Sequence, residues 1–181
     1  MASGLVANSR AAEAELCIER GDAASEEEGG EEAALKLYLQ AARLAPDDFE
    51  AWTSAGRSLV DLGGRHTEAA ACFEHAAKAD PSDPDLRLYR ANSLSLIGDY
   101  SAAAQCIDAA IELLRANGGG DDTEGAAEAL ADAYVMRGTA ALHLGRTSES
   151  LEYYARALLV QPGRCVLQHA TCAPRGSRAL L

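Results

Sequence analysis

The sequence has few aromatic residues, which make up 5% of the chain although 48% of its residues are hydrophobic. Its apolar surface is therefore supplied mainly by alanine and leucine, which favour helices and close helix–helix contact. No stretch approaches the roughly 18 consecutive apolar residues of a membrane-spanning helix. Only Leu5 and Val6 are strongly apolar before Glu13, too few for a secretory signal. We therefore expect no membrane partner.

Basic residues are also scarce, since 16 Lys and Arg stand against 28 Asp and Glu and give a net charge of −12. The last 19 residues hold three arginines and no acid, so residues 1–162 carry 13 basic and 28 acidic residues, a net charge of −15. Such a surface repels phosphate backbones and anionic membranes. We expect no nucleic-acid ligand and favour a protein partner that has a basic patch or offers a peptide segment.

The cysteines form no CxxC motif, and their number, five, is odd. Cys72 and Cys106 lie 34 residues apart, each directly before a large apolar residue. This position is typical of a small buried side chain. The pattern favours a reducing compartment. We expect the cytoplasm, with the nucleus as the alternative and an organellar presequence within 1–12 less favoured.

A trio of small, large and small residues recurs at spacings of four and three, which place it on one face of a helix. The copies are Ala34-Tyr38-Ala41, Ala69-Phe73-Ala76, Ala103-Ile107-Ala110 and Ser150-Tyr154-Ala157. Successive copies are 35, 34 and 47 residues apart. A period of about 20–50 residues indicates units that bury their apolar faces against one another. The sequence therefore predicts an all-α solenoid of about four helix-turn-helix repeats.

Proline follows three of the four trios and glycine lies between them, so each repeat should be two helices joined by a glycine turn and closed by a proline turn. The predicted helix pairs are 13–24 with 31–45, 49–61 with 66–79, 84–96 with 100–115, and 125–144 with 147–160. The repeats are 13–48, 49–83, 84–116 and 125–162, within an array at 13–162 that contains a glycine-rich loop at 117–124. We expect a flexible N-terminus at 1–12 and a disordered tail at 163–181.

These repeats resemble the tetratricopeptide repeat, a helix pair of 34 residues with a set order of large and small residues. The second repeat has Trp52, Gly56, Ala69, Phe73, Ala76 and Pro81 in that order, and the fourth has Tyr134, Gly138, Ser150, Tyr154, Ala157 and Pro162. The third keeps Ala91 and its trio, while the first is clear only in its second helix. The resemblance implies a right-handed superhelical solenoid in which Gly56 and Gly138 let paired helices approach closely.

The resemblance also implies that function lies on a concave groove lined by the first helix of each repeat. The candidate groove residues are Glu50, Thr53, Arg57, Asp61, Tyr89, Asn92, Asp132, Met136, Thr139 and His143, and Val135 belongs to the same predicted surface. Their mixture of polar and apolar side chains suits an extended peptide or a helix. We expect a protein–protein interaction module, such as a scaffold, an adaptor or a co-chaperone-like protein. The alternative is a truncated or regulatory portion of a larger enzyme or assembly factor.

One subclass of the family clamps the C-terminal carboxylates of heat-shock chaperones with lysine, arginine and asparagine. The corresponding residues here are Thr53, Arg57, Tyr89, Asp132 and Met136 counted from the second repeat, or Glu19, Ala23, Ser54, Asp85 and Tyr89 counted from the first. Cations are mostly absent from both sets, and their aspartates would repel a carboxylate. We therefore expect no carboxylate clamp.

The sequence offers no catalytic residues. The four histidines fall in different repeats and registers: His66, His75, His143 and His169. No serine or cysteine has a histidine and an acid at a recognisable spacing. Cys165, His169 and Cys172 supply only three of the four ligands of a structural zinc site. We expect no enzyme, no metal and no cofactor.

The sequence shows no polar capping helix after Pro162, although helical arrays usually end in one. Any of Leu151, Leu158 and Leu159 that faces outward would then remain exposed. This favours self-association through the uncapped last repeat, a continuation of the chain, or a divergent ending.

Overall fold

The computed structural model describes residues 2–117 and 123–162, with side chains over 9–116 and 125–162. These residues contain eight helices and no strand. The helices are α1 (Ala2–Ser25), α2 (Glu31–Leu44), α3 (Phe49–Asp61), α4 (His66–Ala79), α5 (Pro84–Leu96), α6 (Tyr100–Asn117), α7 (Thr123–His143) and α8 (Thr147–Val160). None of them, within the described ranges, is long and apolar enough to cross a membrane. The all-α class and the series of helix pairs are confirmed.

The helices α3, α4, α5 and α8 begin and end at the predicted residues. Helix α1 is longer than predicted, because it begins at Ala2 and includes residues that were expected to be flexible. That segment is rich in alanine, the strongest helix former, and has no proline. Helix α7 begins at Thr123, inside the loop expected at 117–124. Residue 117 of that loop is the last residue of α6. Residues 118–122 and the tail at 163–181, with Cys165, His169 and Cys172, lie outside the described residues.

The chain divides into two compact units, residues 1–98 with helices α1 to α5 and residues 99–181 with helices α6 to α8. In the first unit each helix packs against the next one along the chain. Its core combines a few large side chains, such as Tyr38, Leu59 and Phe73, with many alanines. Fully buried alanines include Ala34, Ala41, Ala51, Ala55 and Ala69. The core built largely from alanine therefore agrees with the composition.

The helix ends follow the proline and glycine turns. Asp48 and Asp83 cap α3 and α5, where each carboxylate accepts a hydrogen bond from the backbone N–H two residues on, at 2.9 and 2.8 Å. Gly63 and Gly145 lie in the turns before α4 and α8 and have φ angles of 70° and 75°. A side chain would be strained in this left-handed region, so glycine is required there.

Three glycines bring paired helices into close contact. A Cβ atom added to Gly56 would lie 2.7 Å from the Phe73 ring, and one added to Gly138 would lie 2.7 Å from the Tyr154 ring. The predicted role of both glycines is thus confirmed. Gly21 has the same relation to Tyr38, at 2.6 Å, and the sequence analysis missed it. Its signal is a separation of 35 residues from Gly56, the same as that between Ala34 and Ala69.

In the second unit α6 packs on α7, and α7 packs on α8. The core of this unit is again made mostly of alanine, with a few larger aliphatic residues. Its most buried members include Ile107, Ala131, Ala133, Val135, Ala141 and Ala157. Both units therefore follow the same design, in which alanine allows close backbone contact and one large residue per repeat fills the remaining space.

Candidate interaction surface

The first unit contains a cavity of about 240 Å³ between α1, α2 and α3. Its lining is almost wholly polar and consists of Asp22, Ser25, Tyr38, Ser54, Arg57, Ser58 and Asp61. Arg57 and Asp61 belong to the groove predicted from the sequence, and Ser54 lies in the same register. The cavity is therefore part of the first-helix surface that the repeat pattern singled out.

The floor of the cavity is held by a hydrogen bond between α2 and α1. The Tyr38 hydroxyl donates to Asp22 Oδ1 at 2.7 Å, and the Ser25 hydroxyl donates to the Asp22 carbonyl oxygen at 2.7 Å. Burial, followed by the bond to Asp22, raises the pKa of Tyr38 to about 12. The phenol therefore stays protonated at neutral pH and remains a donor.

Ser54 and Ser58 present hydroxyls that no residue in the described part of the chain binds. Several other hydroxyls of the first helices donate back to a carbonyl four residues earlier, as Thr53 does to Phe49 and Ser93 to Tyr89. Ser58 and Ser93 occupy the same place in successive repeats. The hydroxyl of Ser58 is thus left available at the cavity, whereas that of Ser93 is bonded.

Arg57 is exposed at the cavity and forms no hydrogen bond or ion pair with any other residue that the structure describes. Asp61 lies one turn further along α3 and is exposed as well. Some other arginines of the first unit are paired with acidic side chains. For example, Arg65 pairs with Glu68 at 2.7 Å and Arg90 pairs with Glu74 at 2.8 Å. The cavity therefore has unpaired charges of both signs.

The remaining groove residues of the first unit differ in their exposure and in whether their polar groups are already hydrogen-bonded. Glu50 and Asn92 are exposed. Tyr89 is 38% exposed, and its ring lies 5.4 Å from that of Phe73. Thr53 is half-buried, and its hydroxyl is already bonded to the Phe49 carbonyl oxygen at 2.7 Å. Glu50, Tyr89 and Asn92 can therefore reach a ligand, while Thr53 is less available.

In the second unit the predicted groove residues are all half-buried: Asp132, Met136, Thr139 and His143. The Thr139 hydroxyl donates to the Val135 carbonyl oxygen and lies 3.1 Å from the Tyr154 hydroxyl. The ring of His143 is stacked on that of Tyr100, with centroids 4.1 Å apart. Val135 is 2% exposed and belongs to the core, so its assignment to the groove was wrong. The long helix α7 buries this position against its neighbours.

The structure also corrects the register of α1. Since Gly21 takes the place of Gly56, the groove positions assigned to Glu19 and Ala23 belong to Ile18 and Asp22 instead. Ile18 is 8% exposed and Asp22 is anionic. Neither supplies the cation that a carboxylate clamp needs, so the argument against a clamp is unchanged.

A buried arginine in the second unit was missed by the sequence analysis. The side chain of Arg137 is 7% exposed, and it donates to Asp108 at 2.8 Å and to Glu149 at 2.6 Å. Burial alone would lower its pKa, but the hydrogen bond and charge of Asp108 outweigh burial and raise it. The cation stays charged and links α7 to both neighbouring helices.

The first unit has an ion pair at the corresponding repeat positions, between Arg90 on α5 and Glu74 on α4. Each acid directly follows the large residue of its trio, Glu74 after Phe73 and Asp108 after Ile107. The signal was present in the sequence, because the two arginines are 47 residues apart, the spacing between the third and fourth trios. These ion pairs join successive helices and do not line the cavity.

The described histidines and cysteines do not form a reactive site. His75 is exposed and stacks on Trp52 with centroids 4.5 Å apart. Cys72 is 6% exposed, and burial raises the pKa of its thiol to about 11, which disfavours the nucleophilic thiolate. Within the described residues, no three His, Cys, Asp or Glu side chains are grouped so that they could hold a metal.

Family models described as tetratricopeptide repeat match residues 19–84, 55–122 and 131–164. Among solved structures, MamA (41-end) from Desulfovibrio magneticus RS-1 has a TM-score of 0.69 at 20% identity, covering 87% of this chain and 79% of that one. The first tetratricopeptide domain of Spaghetti (RPAP3), bound to the HSP90 peptide SRMEEVD, has a TM-score of 0.56 at 22% identity, covering 67% and 86%. The N-terminal domain of stress-induced protein-1 (STI-1) from C. elegans has a TM-score of 0.59 at 16% identity, covering 70% and 95%.

No curated protein sequence matches this chain. At these low identities the structural likeness shows the fold alone.

Proposed function

Because this chain belongs to the tetratricopeptide repeat family, a family of protein-interaction repeats, we propose that it is a scaffold or adaptor that binds a segment of a partner protein along its first-helix groove. The observation that carries the proposal is the polar cavity of the first unit, where Arg57, Ser54 and Ser58 are left without partners among the described residues. Polar groups in a concave site that the fold itself leaves unsatisfied are typical of a ligand site.

The partner segment is expected to be basic or to lie beside a basic patch, because the chain carries a net charge of −12. Charge of one sign speeds the encounter with a partner of opposite sign and makes binding sensitive to salt. Tyr89 on α5 and Met136 on α7 supply apolar contact area, as grooves for extended peptides usually do. We keep the cytoplasm as the expected compartment.

The proposal is tested by capturing partners from a lysate with the groove variant Asp61→Lys/Asn92→Ala, which replaces an anion of the cavity by a cation. A matched control, Asp47→Lys/Gln105→Ala, makes the same change of charge at exposed residues outside the first helices. We expect a specific protein to be recovered by the wild type and the control and lost by the groove variant. Recovery by all three chains would place binding away from the first helices. Circular dichroism of each variant checks that the fold is retained.

Chaperone C-termini are not expected to be partners. The peptide SRMEEVD, which is bound by the first tetratricopeptide domain of Spaghetti, ends in carboxylates. In this chain Asp132 stands at a clamp position, and Arg57 is the only cation of the set counted from the second repeat. Calorimetric titration with SRMEEVD should give no measurable heat of binding. Micromolar binding would show that other cations of the chain form a clamp.

A second candidate role is self-association or docking within a larger enzyme or assembly factor, of which this array would be a regulatory portion. It is favoured by one observation, the exposure of Leu151, Leu158 and Leu159 on α8, at 64%, 41% and 81%. Light scattering at two concentrations should detect self-association that Leu159→Glu abolishes, with Glu152→Gln as the control. A monomer at both concentrations would contradict self-association through α8.

A further inference from the structure

The cavity between α1, α2 and α3 can be assigned a ligand chemistry, an inference that rests on the proposed function and deepens it. We propose that this cavity is a subsite for a cationic side chain, lysine or arginine, of the bound partner segment. Asp22 and Asp61 would neutralise the cation, and the hydroxyls of Ser54 and Ser58 would accept its remaining hydrogen bonds.

The size of the cavity suits one side chain. Its volume of about 240 Å³ is below the range of roughly 300–1,000 Å³ that is usual for sites of drug-sized molecules. It is also several times the roughly 30 Å³ that one water molecule occupies in the liquid. A single long side chain entering from a peptide in the groove fills such a space, whereas a nucleotide or a folded element does not.

The charges around the cavity favour a cation. Two carboxylates, of Asp22 and Asp61, stand against one guanidinium, of Arg57. Ser25, at the edge of the cavity, is the last residue of α1, and the C-terminal end of a helix carries partial negative charge. Residues 1–98 contain 9 Lys and Arg against 18 Asp and Glu, a net charge of −9. The electrostatic potential of the first unit is therefore negative, as is the net charge of the side chains that line the cavity.

The hydroxyl of Ser58 supplies independent support for a ligand. Ser58 is 9% exposed, so more than nine-tenths of it is buried, and it lines the cavity. No described residue accepts or donates a hydrogen bond at its hydroxyl. Its Oγ is not one of the described side-chain atoms that are fully buried without a hydrogen-bond partner, so the hydroxyl is open to the cavity. A ligand in the cavity would supply the partner that the fold does not.

Arg57 determines how the inference is tested, because it would oppose a cation and attract an anion. If a cation binds, replacing Arg57 by alanine removes a repulsion and does not weaken binding. If the true ligand is a carboxylate, the same replacement removes its main attraction. The two ligand chemistries thus predict opposite responses to one substitution.

The experiment is an NMR titration of the full chain with N-acetylarginine amide, followed through the backbone amides of Ser54, Ser58 and Asp61. N-acetylcitrulline amide, which is isosteric and neutral, and N-acetylglutamate serve as matched probes at equal ionic strength. We expect saturable shifts with the arginine probe alone, with a Kd in the range of about 1–10 mM for so small a ligand. Equal saturation by citrulline, binding of glutamate, or no saturable shift would each overturn the assignment.

Variants locate the binding in the cavity. Asp61→Asn should weaken the arginine probe by about fivefold, as expected for a partly solvated ion pair. Arg57→Ala should bind it at least as tightly as the wild type. Asp47→Asn makes the same chemical change as Asp61→Asn at an exposed turn residue outside the cavity and should leave the affinity unchanged. Weakening by Arg57→Ala, or equal weakening by the two asparagine variants, would overturn the subsite.

Failure of this inference is distinguishable from failure of the proposed function. Loss of partner capture in Asp61→Lys/Asn92→Ala together with no response to the arginine probe would retain the groove and reject the cationic subsite. Specific probe binding together with unchanged capture would retain the subsite and reject the groove as the site of partner binding.

Discussion

At the scale of single residues, the distance between paired helices is set by three glycines that face aromatic rings. Gly21, Gly56 and Gly138 each lie where a Cβ atom would come within 2.6–2.7 Å of a ring carbon. Contacts this short are not tolerated without movement, and the rings of Tyr38 and Phe73 are buried.

We expect Gly56→Ala to reduce the free energy of unfolding of the first unit by about 1–3 kcal/mol, because overpacking against Phe73 outweighs the higher helix propensity of alanine. Urea denaturation can be followed by the fluorescence of Trp52, the only tryptophan of the chain.

The control is a double-mutant cycle with Phe73→Leu, which removes the ring that the methyl group would meet. The two changes together should cost less than the sum of the single changes, because they act on one contact. Additive costs, or a Gly56→Ala chain as stable as the wild type, would mean that the contact between Gly56 and Phe73 does not set the distance between these helices.

At the scale of helices, packing was more predictable from the sequence than the ionic contacts between helices. The spacing of Ala69, Phe73 and Ala76 defines a helix face directly, and the glycine and proline turns define its ends. Arg137 and Asp108 are 29 residues apart and on different helices, so no local pattern joins them. Their pairing depends on which turn of α7 meets α6, and a repeat register assigned one residue out, as in α1, is enough to hide such a relation.

The buried arginine of α7 should be sensitive even to a conservative change. Arg137→Lys keeps the charge but cannot donate to Asp108 and Glu149 through a planar fork. We expect it to reduce the free energy of unfolding by about 1–3 kcal/mol, the usual range for hydrogen bonds to charged groups.

Arg137 and Arg156 both lie over the Tyr153 ring, with their Cζ atoms 4.7 and 5.1 Å from its centroid. Arg156→Lys is the matched control, because Arg156 is exposed. It should change stability by less than about 0.5 kcal/mol. Amide hydrogen exchange along α7 provides the measurement. Equal effects of the two lysine substitutions would indicate that contact with the ring, and not the ion pairs, accounts for the stabilisation.

At the scale of the whole molecule, the fold class and most ends of the helices in the described residues followed from the sequence, whereas the cavity did not. The cavity requires Asp22 and Tyr38, which the sequence analysis did not assign to the groove, because the repeat pattern was unclear in α1. It also requires that the hydroxyls of Ser54 and Ser58 remain unbonded, while Thr53, one residue away, is bonded to its own helix. Such choices between a helix carbonyl and an open space depend on side-chain rotamers, which residue spacing does not determine.

The net charge of −12 predicts how any basic partner will associate. Association with the partner recovered by the wild-type chain should slow by about tenfold or more between 0.05 and 0.3 M salt, because screening weakens the long-range attraction that steers the encounter. The dissociation rate should change much less, since it reflects short-range contacts in the groove. Surface plasmon resonance separates the two rates.

The control Arg43→Glu, which makes the chain more acidic outside the groove, should raise the association rate at low salt and not at high salt. An association rate that is independent of salt would mean that apolar contacts, such as those of Tyr89 and Met136, select the partner and that the acidic surface has no part in recognition.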